Sequence, residues 1–146
     1  MVSLMAARVR DAVLRKPHFT EAGTDLVTLC HQLAARGIAD ALVRDGDRLG
    51  IFTATDLVGA LTRDRPPSAL TVGEFTHFAP WSVLADDPLY DAMLLMLRHR
   101  IHRVLVRDGG QVVGILGQMD LMGFMANHSH LISAEVAQAA TVADLA

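Results

Sequence analysis

The chain repeats itself, and the repeat limits its folds more than any single residue does. Ala35–Gly46, ARGIADALVRDG, aligns with Arg98–Gly109, RHRIHRVLVRDG, so that residue 35 meets residue 98 at an offset of 63. Pro17-His18 meets Pro80-Trp81 at the same offset, and Thr24–Leu33 follows the pattern of Asp87–Met96. A second pair, Gly50–Leu57 (GIFTATDL) and Gly114–Leu121 (GILGQMDL), stands one residue further apart. The extra residue is assigned to the Gly109-Gly110 turn, because turn tips tolerate insertions. One supersecondary unit must therefore be built twice from similar local instructions.

Each copy reads strand, helix, strand, strand, helix. In the first, Val9–Leu14 is a helical lead-in and His18–Thr20 a short extended piece. Thr24–Arg36 is a helix whose Leu26, Leu29, Cys30 and Leu33 fall on one face. Thr24 is its expected N-cap and Gly37 the residue that ends it. Ala41–Arg44 and Leu49–Thr53 are strands joined by the turn Asp45-Gly46-Asp47, followed by a helix over Asp56–Thr62. In the second copy Val72–Phe75 leads in, and Asp87-Pro88 opens a helix over Leu89–His99 with Asp87 as N-cap. Val104–Arg107 and Gln111–Leu116 form the second hairpin, and a helix begins near Asp120.

Arg63–Ser68, with Pro66-Pro67, is the expected linker, which sets the repeats at 1–65 and 66–127. The helical pattern then runs on, predicting a C-terminal helix over 128–146 that leads toward an output domain absent from this chain. The closing TVADLA looks like a capped helix start cut short, so the chain reads as a fragment of a longer protein or one designed to end there.

Both strand-to-helix junctions suit a ligand. A helix start leaves backbone N–H groups unpaired and attracts anions. Thr53 adds a hydroxyl donor for a phosphate, and Asp56 offers two acceptor oxygens for a pair of sugar hydroxyls. The second copy keeps Asp120 but carries Gly117 in place of the threonine. Asp56 and Asp120 also suit helix starts with no ligand at all.

Composition removes other classes. The chain has 146 residues, is 51% hydrophobic and has a net charge of −3, which gives no electrostatic footprint for nucleic acid. Cys30 is the only cysteine, so neither an internal disulfide nor a cysteine-rich zinc site can form, and its apolar neighbours suggest a buried thiol. The longest apolar run, Ala92–Leu97, is far short of a membrane span, and MVSLMAARVR lacks a signal-peptide pattern; a soluble cytoplasmic protein is expected. His99 with His102, and His128 with His130, are poorly spaced for converging on a metal. The methionines at 93, 96, 119, 122 and 125 read as packing or interface residues. No Ser-His-Asp, Cys-His or paired-carboxylate constellation stands out, so the chain is not expected to be an enzyme.

The duplicated unit and its Gly-apolar-apolar-Thr-x-x-Asp junction resemble the cystathionine-β-synthase (CBS) domain, here as the tandem pair called a Bateman module, over Val9 to about Asn127. The resemblance implies an α/β fold: two β-α-β-β-α repeats with small three-stranded sheets flanked by helices, packed with pseudo-two-fold symmetry. A narrower likeness lies in GIFTATDL, RIHRVLVRDG and QMDLMGFMANHSHLI. These are similar to the CBS pair of bacterial nucleotidyltransferases related to signal-transduction uridylyltransferases, which carry a cyclic-nucleotide-binding-like domain before the pair and the catalytic domain after it.

Such pairs bind AMP, ADP or ATP in clefts between the repeats and regulate an attached domain, with no cofactor required. By resemblance, Thr53 would meet phosphate and Asp56 the ribose. Adenine would lie against Phe19, Ile38 and Ala41, with the backbone of Pro17, His18, Phe19 and Thr20 reading its edge. Asp120 would take the ribose role in the second site, and His102 and Arg103 would reach phosphates. Gly117 departs from the pattern at a cost of about 0.5–1.5 kcal/mol, or two- to tenfold in affinity. Leu42 and Leu105 also depart, replacing the proline common in the family's strand. The resemblance implies a homodimer formed through helices, without nucleic-acid or membrane partners; the competing reading is a ligand-free dimerisation scaffold.

Overall fold

The computed structural model describes residues 5–13 and 15–128. In chain order the elements are α1 (Val9–Ala12), β1 (Phe19–Glu21), α2 (Leu26–Arg36), β2 (Asp40–Asp45), β3 (Arg48–Thr53), α3 (Ala54–Ala60), β4 (His77–Phe78), β5 (Ser82–Leu84), α4 (Leu89–His99), β6 (Arg103–Asp108), β7 (Gln111–Gly117) and α5 (Gln118–Asn127). Single 3₁₀ turns at Pro67–Ala69 and Val72–Glu74 precede β4. The mixed α/β architecture of small sheets flanked by helices is the one expected. The predicted continuation beyond α5, over 129–146, lies outside the described residues.

Two compact units result, and neither is contiguous with one repeat. Pro17–Pro80 forms the first; in the second, the stretch ending at Lys16 joins the chain from Trp81 onward. Backbone hydrogen bonds cause this exchange. The Val9 N–H donates to the Asp87 carbonyl at 2.9 Å and the Leu89 N–H to the Ala7 carbonyl at 2.9 Å, which fixes the first lead-in on the second repeat. Reciprocally, the Leu26 N–H donates to the Leu70 carbonyl at 3.0 Å and the Val72 N–H to the Thr24 carbonyl at 2.8 Å. Each repeat completes its unit with the other's lead-in.

The Pro17–Pro80 unit has a four-stranded sheet in the order β1-β2-β3-β4, one strand more than the three expected because β4 pairs along the β3 edge, with β1 parallel to β2 and the remaining pairs antiparallel. Helix α2 buries Leu26, Leu29 and Leu33 against Ala41, Val43 and Phe52 of that sheet. The helix is capped one residue later than Thr24: the Asp25 carboxylate accepts the Thr28 N–H at 3.0 Å and its hydroxyl at 2.9 Å. Thr24 instead receives the Thr20 hydroxyl at 3.1 Å. Gly37 ends α2 in the left-handed conformation at φ 64°, as its position predicts.

The other unit has a three-stranded sheet, β5-β6-β7, under α4, which buries Leu89, Ala92 and Met96. Asp87 does not cap α4. Pro88 occupies the N-cap position, and the Asp87 carboxylate turns back to accept the Leu84 N–H at 2.8 Å. The extra residue of the second repeat is not in its turn. Both hairpins close through two residues, Gly46-Asp47 and Gly109-Gly110, and the register shifts between Val106 and Arg107, leaving Val113 as the bulge. Among the described residues, no helix is long and apolar enough to cross a membrane.

Candidate functional site

Register alone places the first junction. Phe19 lies beside Leu42 and Leu42 beside Ile51, while Asp40 faces Thr53. The starts of β1 and β2 and the end of β3 therefore share one end of the sheet, which gathers Pro17, His18, Ile38, Asp40, Thr53 and Asp56. The Leu42 N–H donates to the His18 carbonyl at 2.8 Å and the Ala54 N–H to the Ala39 carbonyl at 3.1 Å, tying the corner together.

At the junction Thr53 is extended, with φ −130° and ψ 169°, and is the N-cap of α3. The half-buried Asp56 accepts the Thr53 N–H at 2.8 Å and the Thr53 hydroxyl at 3.2 Å, both on Oδ2. Two consequences follow. The hydroxyl proton expected to meet a phosphate is turned toward Asp56 and must rotate to serve one. Asp56 Oδ1 meets no donor among the described residues, so this carboxylate keeps acceptor capacity for a ligand hydroxyl.

The residues expected to cradle a base divide. Ala41 is fully buried within the core under α2, and Ile38 packs against the same cluster. Phe19 is half-buried, with the Arg44 guanidinium 4.2 Å above its ring, a cation–π contact. The His18 ring lies 2.9 Å from the Gln32 side-chain oxygen, and Thr20 is buried. Pro17 is half-buried at the head of β1. The aligned Asp40, buried to 4% exposure, is a further acidic group at this corner. Its signal was present in the repeat, where it aligns with Arg103.

The second junction repeats the backbone and changes the side chains. Gly117 has φ −115° and ψ 170°, and its N–H donates to Asp120 Oδ2 at 2.8 Å. Arg103 faces Gly117 across the hairpin. A Cβ on Gly117 would stand 3.5 Å from Arg103 Cγ, so the arginine stem lies in ordinary contact beside the place where a threonine side chain would begin. His102 is exposed, and its carbonyl accepts the Gln118 N–H at 3.1 Å. It lines a groove of about 610 Å³ with Tyr90, Met93, Leu97, Arg100 and Ile101. The residue that sequence reasoning missed is Arg15, whose guanidinium holds Asp120 from 105 positions away with no local pattern to announce it.

Among the described residues, no group of three or more His, Cys, Asp or Glu side chains could hold a metal. His99 stacks on Trp81 with centroids 4.1 Å apart, and His128 on Phe124 at 4.3 Å. Cys30 is half-buried rather than fully buried, and desolvation pushes its thiol pKa up, away from a reactive thiolate.

Residues 72–127 match the family model described as CBS domain. The comparison with curated proteins found no match. Among solved structures, the chain is similar to the CBS domain pair of protein MJ0100 in complex with 5′-methylthioadenosine and S-adenosyl-L-methionine, at 22% identity and TM-score 0.71 over 83% of this chain and 97% of that one. It is similar to the CBS domain protein PAE2072 from Pyrobaculum aerophilum complexed with AMP, at 21% identity and TM-score 0.70 over 87% and 99% of the two chains. A hexameric CBS-CP12 protein from bloom-forming cyanobacteria matches at 19% identity and TM-score 0.71 over 80% of this chain, which spans 66% of that protein's length. The family model thus covers the second repeat, and over most of the chain the fold is that of solved CBS domain pairs.

Proposed function

We propose that the chain is a regulatory module that binds an adenosine-containing ligand at the Thr53/Asp56 junction. The observation that carries this reading is Asp56. Its carboxylate is fixed by Thr53 through one oxygen while the other meets no donor among the described residues. Two sugar hydroxyls are the chemistry such a carboxylate takes, and similar folds have been solved with AMP, 5′-methylthioadenosine and S-adenosyl-L-methionine. Ile38, Phe19 and the backbone of Pro17–Thr20 are the proposed base-facing elements, with Ala41 acting from the core beneath them. Asp120, His102 and Arg103 form the proposed second site.

The proposed output is an attached nucleotidyltransferase domain beyond α5, a reading supported by the sequence likeness of Gln118–Ile132. Ligand would shift the module toward the arrangement it binds better, and α5 would carry that shift onward. Exposed Leu97, Met119 and Met122, at 77%, 75% and 60%, support a homodimer formed through helices. A monomer mass by light scattering at micromolar concentration would remove that part.

The test is a thermal titration of the full chain with AMP, ATP, 5′-methylthioadenosine, S-adenosylmethionine and GTP. At 100 times its dissociation constant a ligand adds about 2.7 kcal/mol, a shift on the order of 5–10 °C. Asp56→Ala should weaken the adenosine ligand about 10- to 100-fold, the worth of a charged hydrogen bond. If no adenosine compound shifts the transition, the scaffold reading takes its place.

A further inference from the structure

The two junction carboxylates are not equally available to a ligand. Asp120 Oδ2 accepts the Gly117 N–H at 2.8 Å, and the Arg15 guanidinium closes on both oxygens: Nε lies 3.2 Å from Oδ1, and a terminal nitrogen lies 3.4 Å from Oδ2. The Asp120 side chain is only 12% exposed, so this fork is partly shielded from water. Asp56 has no such fork; Thr53 occupies one of its oxygens and, among the described residues, no cation pairs with it.

Arg15 reaches Asp120 because the exchanged lead-in delivers it. The lead-in is held by the Val9 and Leu89 backbone bonds, and it flanks a cavity of about 240 Å³ lined by Ala12, Arg15, Met119, Asp120 and Phe124. A carboxylate whose two oxygens are engaged by a guanidinium fork cannot take a sugar diol at the same time. The cavity beside the fork gives the guanidinium somewhere to go.

We infer that Arg15 selects which junction fills: it competes with ligand for Asp120, so that an adenosine compound occupies the Thr53/Asp56 junction first and the second junction only after Arg15 has left. This rests on the adenosine reading above. Gly117 alone would make the second junction weaker; the Arg15 fork makes its occupancy conditional on the guanidinium leaving Asp120.

The test is calorimetric titration of the full chain with adenosine, which carries the diol and no phosphate that Arg15 could hold. Wild type should bind one equivalent in the measurable range. Asp56→Ala should leave weak binding at the second junction. In that background Arg15→Gln should tighten adenosine about fivefold, with Arg15→Lys, which keeps the charge and loses the fork, in between. The same tightening should vanish when Asp120→Ala is added.

Unchanged or weaker binding in Arg15→Gln, with wild type still binding, overturns the inference alone and makes Arg15 a bystander or a ligand-holding residue. No heat in wild type or any variant overturns the adenosine reading and this inference together. Arg15 is 40% exposed and outside the core, and matching melting curves would confirm that both Arg15 variants fold.

Discussion

The two strand-to-helix junctions have nearly the same backbone and different chemistry. Thr53 and Gly117 share extended dihedrals, at φ −130° and −115°, and each donates its N–H to the aspartate three residues on at 2.8 Å. Around that common hook three things differ: a hydroxyl against a hydrogen, Asp40 against Arg103 across the hairpin, and, among the described residues, no cation against the Arg15 fork. Duplication kept what the backbone needs and let the side chains diverge. The helix-start function of the aspartate is common to both copies, so ligand chemistry has to be sought in the residues that differ.

The largest expected effect breaks the apparent equivalence of the two leading glycines. A Cβ on Gly50 would lie 2.6 Å from the His77 carbonyl oxygen and 2.6 Å from Thr76 Cγ2, so alanine must push β4 away from β3. A Cβ on Gly114 would meet one Val13 methyl at 2.8 Å, a side chain beyond the end of α1 that has more room to yield. Gly50→Ala should therefore cost about 2–3 kcal/mol and Gly114→Ala about 1 kcal/mol. Urea unfolding of the two variants decides it; equal losses would mean that both glycines serve the strand and not its neighbour.

Much of this was legible because it is local. The α2 stripe of Leu26, Leu29 and Leu33, the two Gly-containing hairpin turns and the Thr53/Asp56 spacing are each written within a few residues. What was not legible depends on partners far along the chain. The exchange of lead-ins is set by backbone bonds between residues such as Val9 and Asp87, and β4 has only two residues, too short to show a period. The extra residue of the second repeat emerged as a bulge at Val113 because only strand register distinguishes a bulge from a longer turn. N-caps were displaced by one residue at Asp25 and Pro88, where neighbouring Thr24 and Asp87 found other hydrogen bonds. Within the candidate site the acidic hook was visible in the motif, whereas Arg15 carries no pattern of its own.

A middle-sized effect tests how much of the difference between the junctions lies in one hydroxyl. Gly117 is extended, a conformation any residue adopts, and a Cβ there would stand 3.4 Å from Asp120 Oδ2 and 3.5 Å from Arg103 Cγ, close to ordinary contact. Gly117→Thr should fold and should raise AMP affinity at the second junction two- to tenfold, about 0.5–1.5 kcal/mol. The measurement belongs in an Asp56→Ala background, where the first junction is silenced. No gain would place the whole difference on the two arginines.

The smallest effect sharpens the comparison at the other end of the repeat, where α2 and α4 stop. Gly37 and Arg100 occupy the same position in the duplicated frame, and both adopt the left-handed conformation, at φ 64° and 54°. Glycine takes it without a Cβ clash; arginine does not. Ile38 and Ile101 close the two ends alike, with N–H groups bonded to the Leu33 and Met96 carbonyls at 3.1 and 3.0 Å, so the backbone demand is the same in both. Arg100→Gly should relieve that strain, partly offset by the greater freedom glycine gives the unfolded chain, for a net gain of about 0.5 kcal/mol. Gly37→Arg should lose a comparable amount, about 0.5 kcal/mol, because the added strain outweighs the freedom that the unfolded chain gives up. Equilibrium urea unfolding resolves the pair. If Arg100→Gly loses stability instead, the arginine side chain makes packing contacts beside His102 that outweigh its backbone strain, and the two helix ends are alike in geometry only.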